Sequence, residues 1–86
     1  MKVQVTQECI DKGVKVEPQL CPIALALKGA GFSNVSVGAY TISFDQGLLA
    51  KDLKQNDQMI FFRRNFDNGK HVSPFEFETD ELTKEY

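Results

Sequence analysis

The stretch that decides the fold is Asn34-Val35-Ser36-Val37-Gly38-Ala39-Tyr40-Thr41-Ile42-Ser43-Phe44. Apolar and polar residues alternate on both sides of Gly38-Ala39, the pattern of two half-buried strands. Glycine at the first central position suits a two-residue type II′ turn. That turn pairs Val37 with Tyr40 and Val35 with Ile42, so Val35, Val37, Tyr40, Ile42 and Phe44 share one face. Asn34, Ser36, Thr41 and Ser43 share the other. Turn chemistry and binary pattern thus specify the same antiparallel hairpin.

Upstream, Lys2-Val3-Gln4-Val5 alternates as a strand does. Thr6 as N-cap, Glu8 in the first turn and Gly13 as a stop predict a short helix over Gln7–Lys12. Residues 14–20, with Pro18, read as a loop. Cys21-Pro22 opens a second helix, since proline at the first helical position gives up an N–H that has no partner there. Gly29 and Gly31 end it. Leu20, Ile23, Ala24 and Leu27 share one face while Leu25 and Ala26 lie elsewhere, so this helix is apolar on most sides and belongs at the centre of the core.

Downstream, Asp45-Gln46-Gly47 turns the chain, and residues 48–54 fit a strand, a helical turn or a covering loop. A helix runs from Asn56 or Asp57 to Asp67, stopped by Asn68-Gly69. Pro74-Phe75-Glu76-Phe77-Glu78 alternates again, and its leading proline suits an edge strand. The expected order is β-α-α-β-β-α-β. This is an α+β domain over residues 1–78, with an antiparallel four-stranded sheet covered by helices on one face. Residues 79–86 are expected to form a frayed acidic tail.

The chain has 86 residues, 42% of them hydrophobic, which suits one domain with one core. No apolar run approaches the length of a membrane span. The start lacks the apolar run of a signal peptide, so a cytoplasmic setting is expected. The net charge of −2 argues against general nucleic-acid binding. Residues 1–43 balance to +1 and residues 44–86 to −3. The acidic end holds Glu76, Glu78, Asp80, Glu81 and Glu85. Carboxylates two apart on a strand lie about 6.8 Å from each other, close to phosphate spacing, so a DNA mimic is one reading of this end.

Two cysteines and one histidine cannot supply a four-ligand zinc site between them, and no metal or cofactor is expected. Cys21, at a helix N-terminus where the dipole favours thiolate, is the candidate nucleophile, with His71 as its base. Neither an acid nor an oxyanion donor accompanies them in the sequence. The last helix is more informative. Met59, Phe62 and Phe66 form its core stripe. Ile60 and Phe61 fall well off that stripe, and Arg64 lies nearly opposite the core beside Asp57 and Phe61. An exposed Phe beside an exposed Arg has the composition of a binding hot spot. The competing reading has Leu48, Leu49 and Leu53 fold back over Ile60 and Phe61. Arg63-Arg64, in an acidic chain, makes a poor phosphate footprint.

The Val-Gln-Val-Thr strand, the helix ending Asp11-Lys12-Gly13, and Cys21-Pro22-Ile23-Ala24-Leu25-Ala26-Leu27 together resemble small uncharacterised proteins of bacteriophages and prophages. So do Phe66-Asp67-Asn68-Gly69 and Val72-Ser73-Pro74-Phe75-Glu76-Phe77. The likeness covers most of residues 1–78. It implies a phage accessory protein acting in bacterial cytoplasm, and it carries over no catalytic or binding residue. By analogy of class, such proteins bind and block host machinery, defence nucleases included. The expectation is therefore a non-enzymatic protein-binding module acting through Ile60, Phe61, Arg64 and Asp57. Its partner is a bacterial host protein, or a second copy in a homodimer. The alternatives are a Cys21-dependent thiol enzyme or redox-responsive protein, and the DNA mimic.

Overall fold

A computed structural model describes residues 2–78 and 83–84. Its elements are β1 (Lys2–Val5), α1 (Gln7–Lys12), α2 (Pro22–Gly29), β2 (Ser33–Val37), β3 (Thr41–Gln46), β4 (Leu49–Lys54), α3 (Asp57–Asp67), β5 (Phe75–Glu78) and the two-residue β6 (Thr83–Lys84). The fold is α+β, as expected. The single four-stranded sheet is not what forms. β1 pairs antiparallel with β5 in a two-stranded sheet, while β2, β3 and β4 make a three-stranded antiparallel meander to which β6 adds at the end of β4. A physical reason lies on the outer edge of β2. There the Val37 N–H donates to the Pro18 carbonyl at 2.9 Å, so one end of that edge is taken by the loop of residues 14–20 and not by a further strand. The rest of the expected tail, residues 79–82 and 85–86, lies outside the described residues.

α2 packs against α1, β1, β2 and α3, which makes it the central helix. Ile23, Ala24 and Leu27 are fully buried; Ala26 is buried with them and Leu25 is half-buried. Leu20, assigned above to the buried face, precedes the helix and is 42% exposed. Thr6, Cys21 and Asn56 cap the three helices, each accepting from the backbone N–H three residues on. Gly13 is required for close approach, because a Cβ there would lie 2.7 Å from the Pro22 ring.

The hairpin forms with its pairing slid. Val37 faces Ile42 rather than Tyr40, and the turn closes around Ala39-Tyr40, the Gly38 N–H donating to the Thr41 carbonyl at 2.8 Å. A slip of two preserves the faces, so Val35, Val37, Ile42 and Phe44 stay buried while Tyr40 moves out to 63% exposure. The cause is distant in sequence. The Gln55 side-chain amide donates to the carbonyls of Gly38 (2.8 Å) and Thr41 (2.7 Å), and its backbone N–H donates to Tyr40 O. These three bonds hold the turn where local glycine preference would not. Farther along, two β2 residues, Asn34 and Val35, oppose the single β3 residue Phe44 between the Ser33–Asp45 and Ser36–Ser43 pairs. This bulge places Asn34 at φ 51, with its amide donating to Asp45.

Residues 48–54, left open above, resolve into the second strand of a hairpin. Gln46 faces Leu49, and Gly47 at φ 63 starts the two-residue turn. Leu48 sits at the tip, fully exposed, and Leu53 is buried.

Candidate functional site

α3 offers two distinct flanks. Its core stripe is Met59, Phe62 and Phe66, all buried, with Phe62 set 4.7 Å from the ring of Phe75 and 6.5 Å from that of Phe66. The outward side carries Asp57, Phe61 and Arg64, all exposed, with Ile60 half-buried beside them. Phe61 is 57% exposed, and the Arg64 guanidinium carbon lies 5.9 Å from its ring centroid. Leu48 points to solvent at its hairpin tip and gives Phe61 no cover. Among the described residues Arg64 makes no ion pair, so its charge is free for a partner.

The other flank closes a cleft. Arg63 and Asp67 form one wall, the loop of residues 14–20 a second, and Gly38-Ala39 of the hairpin turn a third, with Cys21 at the floor. The cleft has a volume of about 150 Å³. Asp67 organises it. One carboxylate oxygen accepts from Arg63 Nη1 at 2.7 Å, and the other accepts from the Val16 N–H at 2.9 Å. Val16 is thereby held at φ 60, a left-handed conformation that a β-branched residue rarely adopts, with its side chain 72% exposed. Arg63 Nε–H is buried and has no acceptor among the described residues.

Cys21 is 2% exposed. Its sulfur accepts the Ala24 N–H at 3.5 Å. Burial is the main influence on its thiol and raises the pKa, outweighing the Ala24 and Ile23 backbone N–H groups that favour thiolate. The thiol therefore stays protonated at neutral pH, opposite to what the helix dipole alone suggests. His71 is exposed beyond the end of α3 and is not part of the cleft wall, so the structure does not assemble Cys21 and His71 into a pair. Cys9 is half-buried on α1, and both thiols are free.

Of the acidic end, Glu76 is exposed and lies 3.8 Å from Lys2, Glu78 is half-buried, and Asp80, Glu81 and Glu85 fall outside the described residues. Among the described residues no three His, Cys, Asp or Glu side chains converge to hold a metal, and no helix is long and apolar enough to cross a membrane. A second groove, of about 480 Å³, lies between β1, α1 and α2 over Leu25, Ala26 and Ala30. The cleft at Cys21 escaped the sequence reading because Val16, Cys21, Gly38, Arg63 and Asp67 share no spacing that marks them as neighbours. No protein-family model, curated protein or solved structure matches this chain.

Proposed function

We infer that this protein is a non-enzymatic binding module that recognises another protein through the outward side of α3. The observation that carries this reading is the exposed Phe61 ring with the Arg64 guanidinium held against it. A large aromatic left open to water offers apolar area to a partner. An arginine whose guanidinium already lies within cation–π distance of that ring loses less side-chain freedom on binding than one that swings free. The partner that fits presents an apolar side chain to Phe61 and Ile60 and a carboxylate to Arg64. Asp57, at the first turn, adds an acidic edge that discriminates among such surfaces.

In the same proposal the partner is a protein of a bacterial host, met by a phage-encoded accessory protein in the cytoplasm, a defence nuclease being the class of target by analogy. A second copy of the chain is the other occupant of this face. The thiol-enzyme reading is less favoured, because Cys21 is buried and protonated. The test is affinity capture from bacterial lysate beside the Phe61→Ala/Arg64→Ala variant. A stoichiometric protein retained by the native chain and lost with the variant supports the reading; equal recovery on both overturns it.

A further inference from the structure

A second surface, independent of the outward side of α3, lies along β1. β5 occupies one edge of that strand. The groove of about 480 Å³ between β1, α1 and α2 runs along the other, since Lys2, Val3 and Gln4 line it in succession and no residue of β5 does. In an antiparallel pair, alternate residues turn their N–H and C=O groups away from the partner strand. Among the described residues the backbone of Lys2–Val5 makes no hydrogen bond outside the β1–β5 ladder. Alternate residues of β1 therefore present a free donor and acceptor to the groove. We propose that this edge adds an extended peptide segment of another protein as a third strand, one that alternates apolar and acidic residues.

The edge selects an extended backbone, because a strand matches donors and acceptors that repeat every ~6.8 Å. The alternation follows from the two faces of β1. Val3, 2% exposed, faces the core, while Lys2 and Gln4 face water. Side chains directly opposite one another in neighbouring strands share a face. Every second side chain of the added strand thus lies inward over Ala26 and Ala30 of α2, a place for apolar groups of modest size. The residues between them project beside Lys2. β5 shows what β1 takes on that face: Glu78 stands opposite Lys2, and the Lys2 ammonium lies 3.8 Å from Glu76. A carboxylate on the new strand meets the same ammonium from the other side, with Lys12 on the far wall of the groove. The β1 strand of a second copy would instead bring a third lysine to a rim that already holds two.

The test is an NMR titration of the ¹⁵N-labelled chain with acetyl-Glu-Val-Glu-Val-Glu-amide and with acetyl-Lys-Val-Lys-Val-Lys-amide. The acidic peptide should give saturable shifts at the Lys2–Val5 amides and bind roughly fivefold more tightly than the basic one. Lys2→Glu should reverse that preference. Alternate N–H groups of a strand point to opposite edges, so N-methylation of the valines and N-methylation of the glutamates should differ about tenfold in their effect on affinity. A Cβ at Gly29, in the groove lining, meets no atom within 4 Å, so Gly29→Leu fills the groove without strain. It should abolish peptide binding and leave the thermal midpoint no lower. Should either variant fail to fold, the two N-methylated peptides on the native chain decide alone. No saturable shift up to about 1 mM acidic peptide overturns the proposal. Equal effects of the two N-methylation patterns, tighter binding of the basic peptide, or binding retained by Gly29→Leu does so as well. Shifts at β1 that grow with protein concentration in the absence of peptide would also overturn it, by giving the edge to a second copy.

Discussion

The Asp67 carboxylate and the Val16 backbone N–H, 51 positions apart in the chain, meet at 2.9 Å. The bond ties the loop of residues 14–20 to the end of α3 and closes it over Cys21. Asp67→Ala removes the acceptor and leaves Arg63 without its carboxylate, which should cost about 2–3 kcal/mol. Part of that loss falls on loop opening. Each 1.4 kcal/mol of lost local stability speeds labelling of the buried thiol about tenfold. In a Cys9→Ser background, the labelling rate of Cys21 should therefore rise by about five- to tenfold if half of the loss falls on the loop. A rate unchanged by Asp67→Ala would show that the loop does not guard the thiol.

Val16 itself supplies the converse prediction. Its left-handed backbone is unfavourable by about 1–2 kcal/mol for an L-residue, and glycine gives back roughly half of that in unfolded-chain entropy. With the side chain 72% exposed, little packing is lost. Val16→Gly should raise the thermal midpoint by about 2–6 °C. A lower midpoint would mean that the Val16 side chain makes contacts worth more than the strain.

Gln55, 7% exposed, holds the hairpin turn through its two side-chain bonds to Gly38 and Thr41. Gln55→Ala strands the Gly38 carbonyl and removes the second donor from Thr41 O, which still accepts from the Gly38 N–H, and should destabilise the fold by about 1–2 kcal/mol, or roughly 5–10 °C in midpoint. The Gly38 and Thr41 amides should also exchange with solvent faster. A change below about 0.5 kcal/mol, within the range of ordinary surface substitutions, would show that the turn is set locally.

Cys21 makes stability depend on alkaline pH. Its folded-state pKa is raised above the ordinary value of 9.0 by burial. Above the unfolded-state pKa the unfolded chain has lost a thiol proton that the folded chain still holds, so stability falls as pH rises. The contribution is intact below that value and disappears as pH climbs toward the folded-state pKa. Cys21→Ser keeps an N-cap acceptor for Ala24 and removes the titration. Chemical denaturation across pH 8 to 10.5 should show a steeper decline for the native chain than for Cys21→Ser, by about 1.4 kcal/mol per pH unit at most. Parallel curves would contradict the burial assigned to this thiol.

Phe61 and Phe62 are adjacent in sequence and opposite in role. Phe62→Ala opens a hole against Phe66 and Phe75 and should cost about 3–4 kcal/mol. Phe61→Ala, at an exposed ring, should cost under about 1 kcal/mol. Urea denaturation of the two variants separates these outcomes, and equal losses would place Phe61 in the core.

Much of the fold was legible because local signals and the core agreed. Thr6, Pro22 and Asn56 mark the helix starts, and the Met59-Phe62-Phe66 stripe faces inward as its spacing requires. Two things escaped. The hairpin register was lost because Gln55, far along the chain, outweighs the turn preference of Gly38. The division into two sheets was lost because the alternation of Lys2–Val5 and Phe75–Glu78 gives their faces but not their neighbours. At the candidate sites, helical spacing set Phe61 and Arg64 off the core stripe but left open whether residues 48–53 cover Phe61; the pairing of β4 with β3, which leaves Leu48 at an exposed tip, decides it. The cleft depends on Val16 meeting Asp67, a contact that no periodicity encodes.

The measurement that tests the recognition surface most directly is site-specific photocrosslinking. A benzoyl-phenylalanine placed at position 61 is irradiated in bacterial lysate beside the same probe at position 71, where exposed His71 follows the end of α3. The account predicts one discrete adduct from position 61, either a host protein or a second copy of the chain. That adduct should be absent from position 71 and lost when Arg64→Ala is added. Identical adducts from both positions, or none from position 61, would contradict the assignment of this face as the binding surface.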